Sequence, residues 1–193
     1  VRYSIPGDAP QNVYNSNGDG TYDHAAGAPA AFPTRARWNF DWSINTNFDP
    51  QFNGTMLSGL TYMLEMDFDP SAGVSFFGFN PVTILIDNSY GDNSTAEGAG
   101  VEDNNPSAHS LAQNSGNLDF FNEAFGQLFD PTANGIYDFR LSAYSGTALL
   151  ARTSMQVLVG EVPEPATLGL LGLSLLGVGF LGRHNGLKQV ATK

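Results

Sequence analysis

The chain contains no cysteine, so no disulfide can staple it, and thiol nucleophiles and Cys-based zinc sites are excluded. Its stability has to come from packing, with a bound metal as the only other staple available. Basic residues are scarce: eight Lys and Arg stand against 19 Asp and Glu, for a formal net charge of −11. Before residue 183 the only ones are Arg2, Arg35, Arg37, Arg140 and Arg152, which form no cluster. Phosphate neutralisation needs a basic patch, so a nucleic-acid partner is excluded. Histidines number only three, and His24 and His109 sit in polar stretches with no nucleophile-elbow motif nearby, which predicts solvated rather than catalytic rings. Long apolar runs are missing everywhere except at the C-terminal end.

What is present before that end is alternation with period 2. In residues 37–44 the even positions Trp38, Phe40, Trp42 and Ile44 are large and apolar and the odd ones polar, which places them on one face of a strand. Tyr62, Leu64, Met66 and Phe68 repeat the pattern. Asp69-Pro70-Ser71-Ala72-Gly73 reads as a turn, with residues 74–79 returning as the hairpin partner. Pro81 ends that strand, and residues 82–86 are expected to form another. Tyr137, Phe139, Leu141 and Ala143 alternate with polar residues, and Ser145-Gly146 turns the chain into a last strand over residues 149–159. Residues 87–117, rich in Asn, Asp, Ser and Gly, read as a long functional or mobile loop. Leu118, Phe121, Phe125, Leu128 and Phe129 fit a helix, though residues 118–121 would also serve as a short strand. Short strands punctuated by turns predict a mainly β chain: an antiparallel β-sandwich or jelly roll over residues 1–160, followed by a C-terminal transmembrane helix.

The tail has three parts. Residues 161–165 contain Val162, Pro163, Glu164 and Pro165, an extended linker in which the two prolines can neither join a ladder nor enter a helix. Residues 166–182 follow without a charge, about 17 residues at the short end of what spans a bilayer core. Residues 183–193 carry Arg183, Lys188 and Lys193 and no acid, so the positive-inside bias puts them in the cytoplasm and the body outside. An outward-facing body needs an export signal, and none opens the sequence, so a removed or omitted signal peptide is expected.

Pro163-Glu164-Pro165, the Leu/Gly-rich apolar span and the basic end together resemble a PEP-CTERM sorting signal, over residues 162–183. The resemblance implies recognition of Pro163, Glu164 and Pro165 by an exosortase-type membrane processing enzyme. It further implies a precursor anchored in the inner membrane and delivery to the cell surface or extracellular exopolysaccharide matrix. Residues 184–193 are longer and more sparsely basic than the compact arginine run usual in such signals.

Candidate sites in the body are fewer. Asn15, Asn17, Asp19, Thr21 and Asp23 place oxygen ligands at alternate positions with Gly20 sixth, like the first nine positions of an EF-hand calcium loop, though position twelve is Ala26 instead of Glu. A plain Asn/Gly turn is the competing reading. Asp87, Asp92, Glu102 and Asp103 are a second acidic candidate. Trp38 and Trp42 are candidate sugar-stacking residues, against core packing, which their alternation with polar neighbours favours. Glu65 and Glu123 are the available glycosidase-type carboxylates, with no motif to pair them. Asp67 and Asp69 flank a turn. The reading that follows is an exported, non-enzymatic protein of the surface or exopolysaccharide matrix. A carbohydrate-binding module is the alternative, and a glycoside hydrolase the remaining one.

Overall fold

The computed structural model describes residues 2–3, 15–48, 53–71 and 73–160. The chain divides into two units, Val1–Glu161 and Val162–Lys193. The second lies outside the described residues, and with it the expected span at residues 166–182. Among the described residues no helix is long and apolar enough to cross a membrane.

The body is mainly β, in two sheets. Its strands are β1 (Arg2–Tyr3), β2 (Thr21–His24), β3 (Trp38–Asn45), β4 (Thr61–Asp67), β5 (Phe76–Phe79), β6 (Ser89–Gly91), β7 (Leu111–Gly116), β8 (Gly135–Ser145) and β9 (Ala148–Val159). Two short helices, α1 (Pro81–Ile84) and α2 (Phe120–Phe125), interrupt them. One sheet has the order β1-β3-β7-β6 and the other β2-β9-β8-β4-β5. Every pairing is antiparallel except β2 with β9, which is parallel.

The alternating patterns do what period 2 requires. Trp38, Phe40, Trp42 and Ile44 of β3 are buried, and so are Tyr62, Leu64 and Met66 of β4. These faces meet: the Trp38 ring lies 5.7 Å from Tyr137 and 6.2 Å from Phe139 on β8, and Phe40 lies 4.9 Å from Phe139. Truncating one such aromatic to Ala costs about 3–5 kcal/mol. The β4–β5 hairpin forms as the Asp69–Gly73 turn predicts. Its closing residue Asp67 is buried, with its carboxylate accepting from the Asp69 and Ser75 main-chain N–H groups at 3.1 and 3.2 Å.

Three expectations are corrected. Residues 82–86 are not a strand, because Asn80 caps a helical turn by accepting from the Val82 N–H at 3.1 Å, with Pro81 in the first position. Cap chemistry of this kind outweighs the β preference of Val82 and Ile84. Residues 87–117 are not one loop, since they contain β6 and β7. The inward positions of β7 are Ala112 and Gly116, small because a Cβ on Gly116 would sit 2.8 Å from the Phe40 ring. Beyond Leu111 at its start, such a strand has no large apolar residue to reveal it. Of the two readings left open at residues 118–129, α2 is helical: Phe121 and Phe125, one turn apart, stack at 5.9 Å and pack on Phe79 at 5.6 and 5.4 Å.

Candidate functional site

The loop from Asn15 to Asp23 folds back on itself. Ser16 bridges Tyr22 antiparallel, the Asn17 N–H donates to the Thr21 carbonyl at 3.0 Å, and the Asp23 N–H donates to the Asn15 carbonyl at 3.3 Å. Asp19 Oδ1 accepts from the Thr21 hydroxyl at 2.7 Å and the Thr21 N–H at 3.0 Å, an Asx turn. The Thr21 hydroxyl hydrogen bond, then the Thr21 main-chain one, holds the Asp19 carboxyl below its usual range. Asn17 Nδ2 donates to Thr21 Oγ1 at 2.8 Å, and Asn15 Nδ2 to the Asp23 carbonyl at 3.1 Å. The Thr21 carbonyl and Asp19 Oδ1 are both hydrogen-bonded within the turn itself. Among the described residues no group of three or more His, Cys, Asp or Glu is placed to hold a metal.

The second acidic candidate disperses in the same way. Asp87 accepts from Asn114 Nδ2 at 2.9 Å, and Asp92 accepts from the Ser94 N–H at 2.7 Å in its own turn. Asp103 accepts from His109 Nε2 at 2.8 Å, which holds its carboxyl low, and Glu102 is exposed. His109 is thus tethered to an aspartate beside the Tyr90 ring, 5.6 Å away, instead of being loosely solvated.

His24 is a larger correction. It lies on β2 with 2 % exposure, 6.1 Å from the Trp38 ring, and burial pushes its pKa from 6.5 down to about 4. Asp23 precedes it and Ala25 follows, and the parallel pairing of β2 with β9 places it inside.

Trp38 and Trp42 are 2 % and 7 % exposed, so neither indole offers an open face for a sugar ring. Glu65 is held by Arg140 across β4 and β8: Arg140 Nε donates to Glu65 Oε2 at 2.6 Å and Nη2 donates to Oε1. The same guanidinium lies 4.4 Å above the Phe76 ring. The side chain of Glu123 lies outside the description, so no carboxylate pair can be measured. Val162, Pro163, Glu164, Pro165, Arg183, Lys188 and Lys193 also lie outside the described residues.

Two structural anchors carry no sequence signal. Asn117 is buried; its Nδ2 donates to the Ala36 and Trp38 carbonyls at 3.0 Å each, and its Oδ1 accepts from the Ala36 N–H at 3.1 Å. Asn88, fully buried, donates to the Pro81 carbonyl at 2.9 Å and pins α1 to the first sheet. The body also has a cleft of about 310 Å³ where β3 faces β8 and β9, with Trp42, Phe139, Thr153 and Met155 in its walls.

Against this geometry, comparison with known proteins locates a recognisable signal in the tail. Residues 161–183 match the PEP-CTERM protein-sorting motif. The match begins one residue after Gly160, whose N–H still donates to the His24 carbonyl at 3.1 Å. The chain finds no match among curated proteins. It finds none among solved structures either.

Proposed function

We propose that this chain is an exported, non-enzymatic component of the cell surface or exopolysaccharide matrix, delivered there through its PEP-CTERM motif. The match at residues 161–183 is the observation that carries the reading, because such signals are recognised by exosortase-type membrane enzymes and mark exported proteins with a membrane-anchored precursor. The two-sheet body, read as a β-sandwich, is the cargo. Support for a structural role comes from how its ionisable groups are used: Glu65 is bound to Arg140, Asp103 to His109, and His24 is packed in the interior. Adhesion or scaffolding needs only a stable β body, while catalysis needs a convergent set of reactive groups. Carbohydrate binding through Trp38 and Trp42 is not part of the proposal, since both indoles pack inside.

The test compares the full chain with a form in which Pro163, Glu164 and Pro165 are all replaced by Ala. Mass spectrometry of the mature C-terminus and cell fractionation are the readouts. The unaltered chain is expected to lose its tail and reach the surface, and the Ala form to stay as the membrane-anchored precursor. Identical fractionation and identical C-termini would sink the sorting reading.

A further inference from the structure

We propose that a cleft lined by α1 and α2 is a binding site for a small hydrophobic amine, whose apolar body fills the cleft and whose ammonium group pairs with Asp87. The proposal draws on the body alone and is independent of the sorting reading. The cleft has a volume of about 360 Å³. Trp42 of β3 and Gly116 of β7 contribute to its lining, Ile84 and Ile86 enter from the end of α1 and the segment after it, and Phe120 and Phe125 enter from α2. Ile84, Ile86 and Phe120 are 48 %, 77 % and 48 % exposed, an apolar rim left in water. Small-molecule sites have this build: a concave volume lined mostly by aromatic and aliphatic side chains, with a few fixed polar groups.

Asp87 is the only ionisable residue in the lining. A buried amide network fixes it: Asn114 Nδ2 donates to Asp87 Oδ1 at 2.9 Å and to Asn88 Oδ1 at 3.0 Å, and the fully buried Asn88 donates to the Pro81 carbonyl at 2.9 Å. The other oxygen, Oδ2, accepts from no donor among the described residues. No ion pair among those residues includes Asp87 either. The cleft therefore presents a positioned carboxylate with half of its acceptor capacity unused.

Charge selects the ligand. An anion is opposed by Asp87, by the negative faces of the aromatic rings and by the net charge of −11. A neutral apolar molecule would strip water from the carboxylate and give it no partner in return. An ammonium group donates to Oδ2 in a charge-assisted hydrogen bond and is attracted to the ring faces as well. Arg35 does not compensate Asp87: its guanidinium lies 5.0 Å from the Phe120 ring but outside the lining, and Asp119 is 3.9 Å from its Nε. The volume is at the small end of the range that holds drug-sized ligands, so the apolar body is one ring or a short alkyl chain.

The test titrates the full chain in mild detergent with phenethylamine and follows tryptophan fluorescence, since Trp42 is one of the two tryptophans and lines the cleft. The amine should bind saturably with a Kd on the order of 10⁻⁴ to 10⁻³ M, as a ligand of so few atoms allows. Hydrocinnamate, similar in size but anionic, and phenethyl alcohol, similar but neutral, should each bind about tenfold or more weakly. Asp87→Asn keeps an acceptor toward Asn114 and removes the charge, so it should weaken the amine about tenfold and leave the alcohol unchanged. Ala124→Phe fills the cleft from an exposed position on α2 and should abolish saturable binding, which also corrects for partition of the amine into detergent. The urea midpoint of each variant checks that the body stays folded. Absence of saturable amine binding overturns the proposal. So does amine binding that is indifferent to Asp87→Asn, that survives Ala124→Phe, or that hydrocinnamate or phenethyl alcohol equals.

Discussion

Lowering the pH from 7.5 to 5 should cost the folded body about 2 kcal/mol through one side chain, His24. Its pKa falls from 6.5 in the unfolded chain to about 4 in the folded one, because the ring is buried at 2 % exposure and the charged form loses its water. The neighbouring Asp23 opposes the shift without reversing it. A depressed histidine pKa means that the unfolded state takes up the proton first. The contribution is complete above 6.5 and is lost as pH falls toward 4, reaching about 3 kcal/mol when both states are titrated. At pH 5 the unfolded chain is almost fully protonated at this site and the folded one is about a tenth protonated, which gives the figure of about 2 kcal/mol. Asp19, Asp92, Asp103 and Asp130 have pKa values lowered by hydrogen bonds, so their contributions hold above 3.8 and disappear only below it, outside this window. Urea unfolding followed by tryptophan fluorescence suits the measurement, since Trp38 and Trp42 are the two tryptophans and both are buried. With an m-value near 2 kcal/mol/M, the midpoint should fall by about 1 M between pH 7.5 and 5. The His24→Phe variant removes the titrating group, so its midpoint should change much less over the same interval, whatever its absolute stability. A wild-type midpoint that does not move, or a His24→Phe slope equal to the wild type, would show that the buried histidine is not the acid-sensitive element.

Other perturbations test the packing and the turn. Asn117→Ala strips the Ala36 N–H and the Ala36 and Trp38 carbonyls of a buried partner, and should cost about 2–4 kcal/mol in the same unfolding assay; a change within error would mean that water replaces the amide. Glu65→Gln replaces the ion pair with Arg140 across β4 and β8 and should cost about 1 kcal/mol at low salt, less at high salt. A loss that ignores ionic strength would assign the effect to packing on Phe76 instead. Because Asp19 Oδ1 and the Thr21 carbonyl of the Asn15–Asp23 loop are already hydrogen-bonded within it, the melting temperature in millimolar calcium should match that in excess chelator. A rise with calcium that Asp19→Ala abolishes would show that the turn opens into a cage.

The strands legible in the sequence were those where large apolar residues alternate with polar ones, as in β3, β4 and β8, while β9 was legible through the Ser145-Gly146 turn before it. Period 2 states which face is buried without reference to any partner. The sorting motif was legible for a different reason: prolines, an apolar run and a basic end act through local chain properties, so their order in the sequence is enough. Tertiary structure decided the rest. In β7 the inward residues are Ala112 and Gly116, and the need for glycine at 116 arises because the Phe40 ring of β3 lies over it. His24 reads as a polar-loop residue until β2 pairs with the far end of β9 and carries it beside Trp38. The acidic positions 87, 92 and 103 could be collected into one site on paper, but Asp92 and Asp103 each accept from an N–H two residues on, which closes a turn at little entropic cost, and Asp87 accepts from the distant Asn114 side chain. Sequence by itself therefore determined the strand-forming faces and the address carried by the tail. Which small or polar residues became core or anchor was set by long-range pairing, whose energetics depend on neighbours that sequence separation conceals.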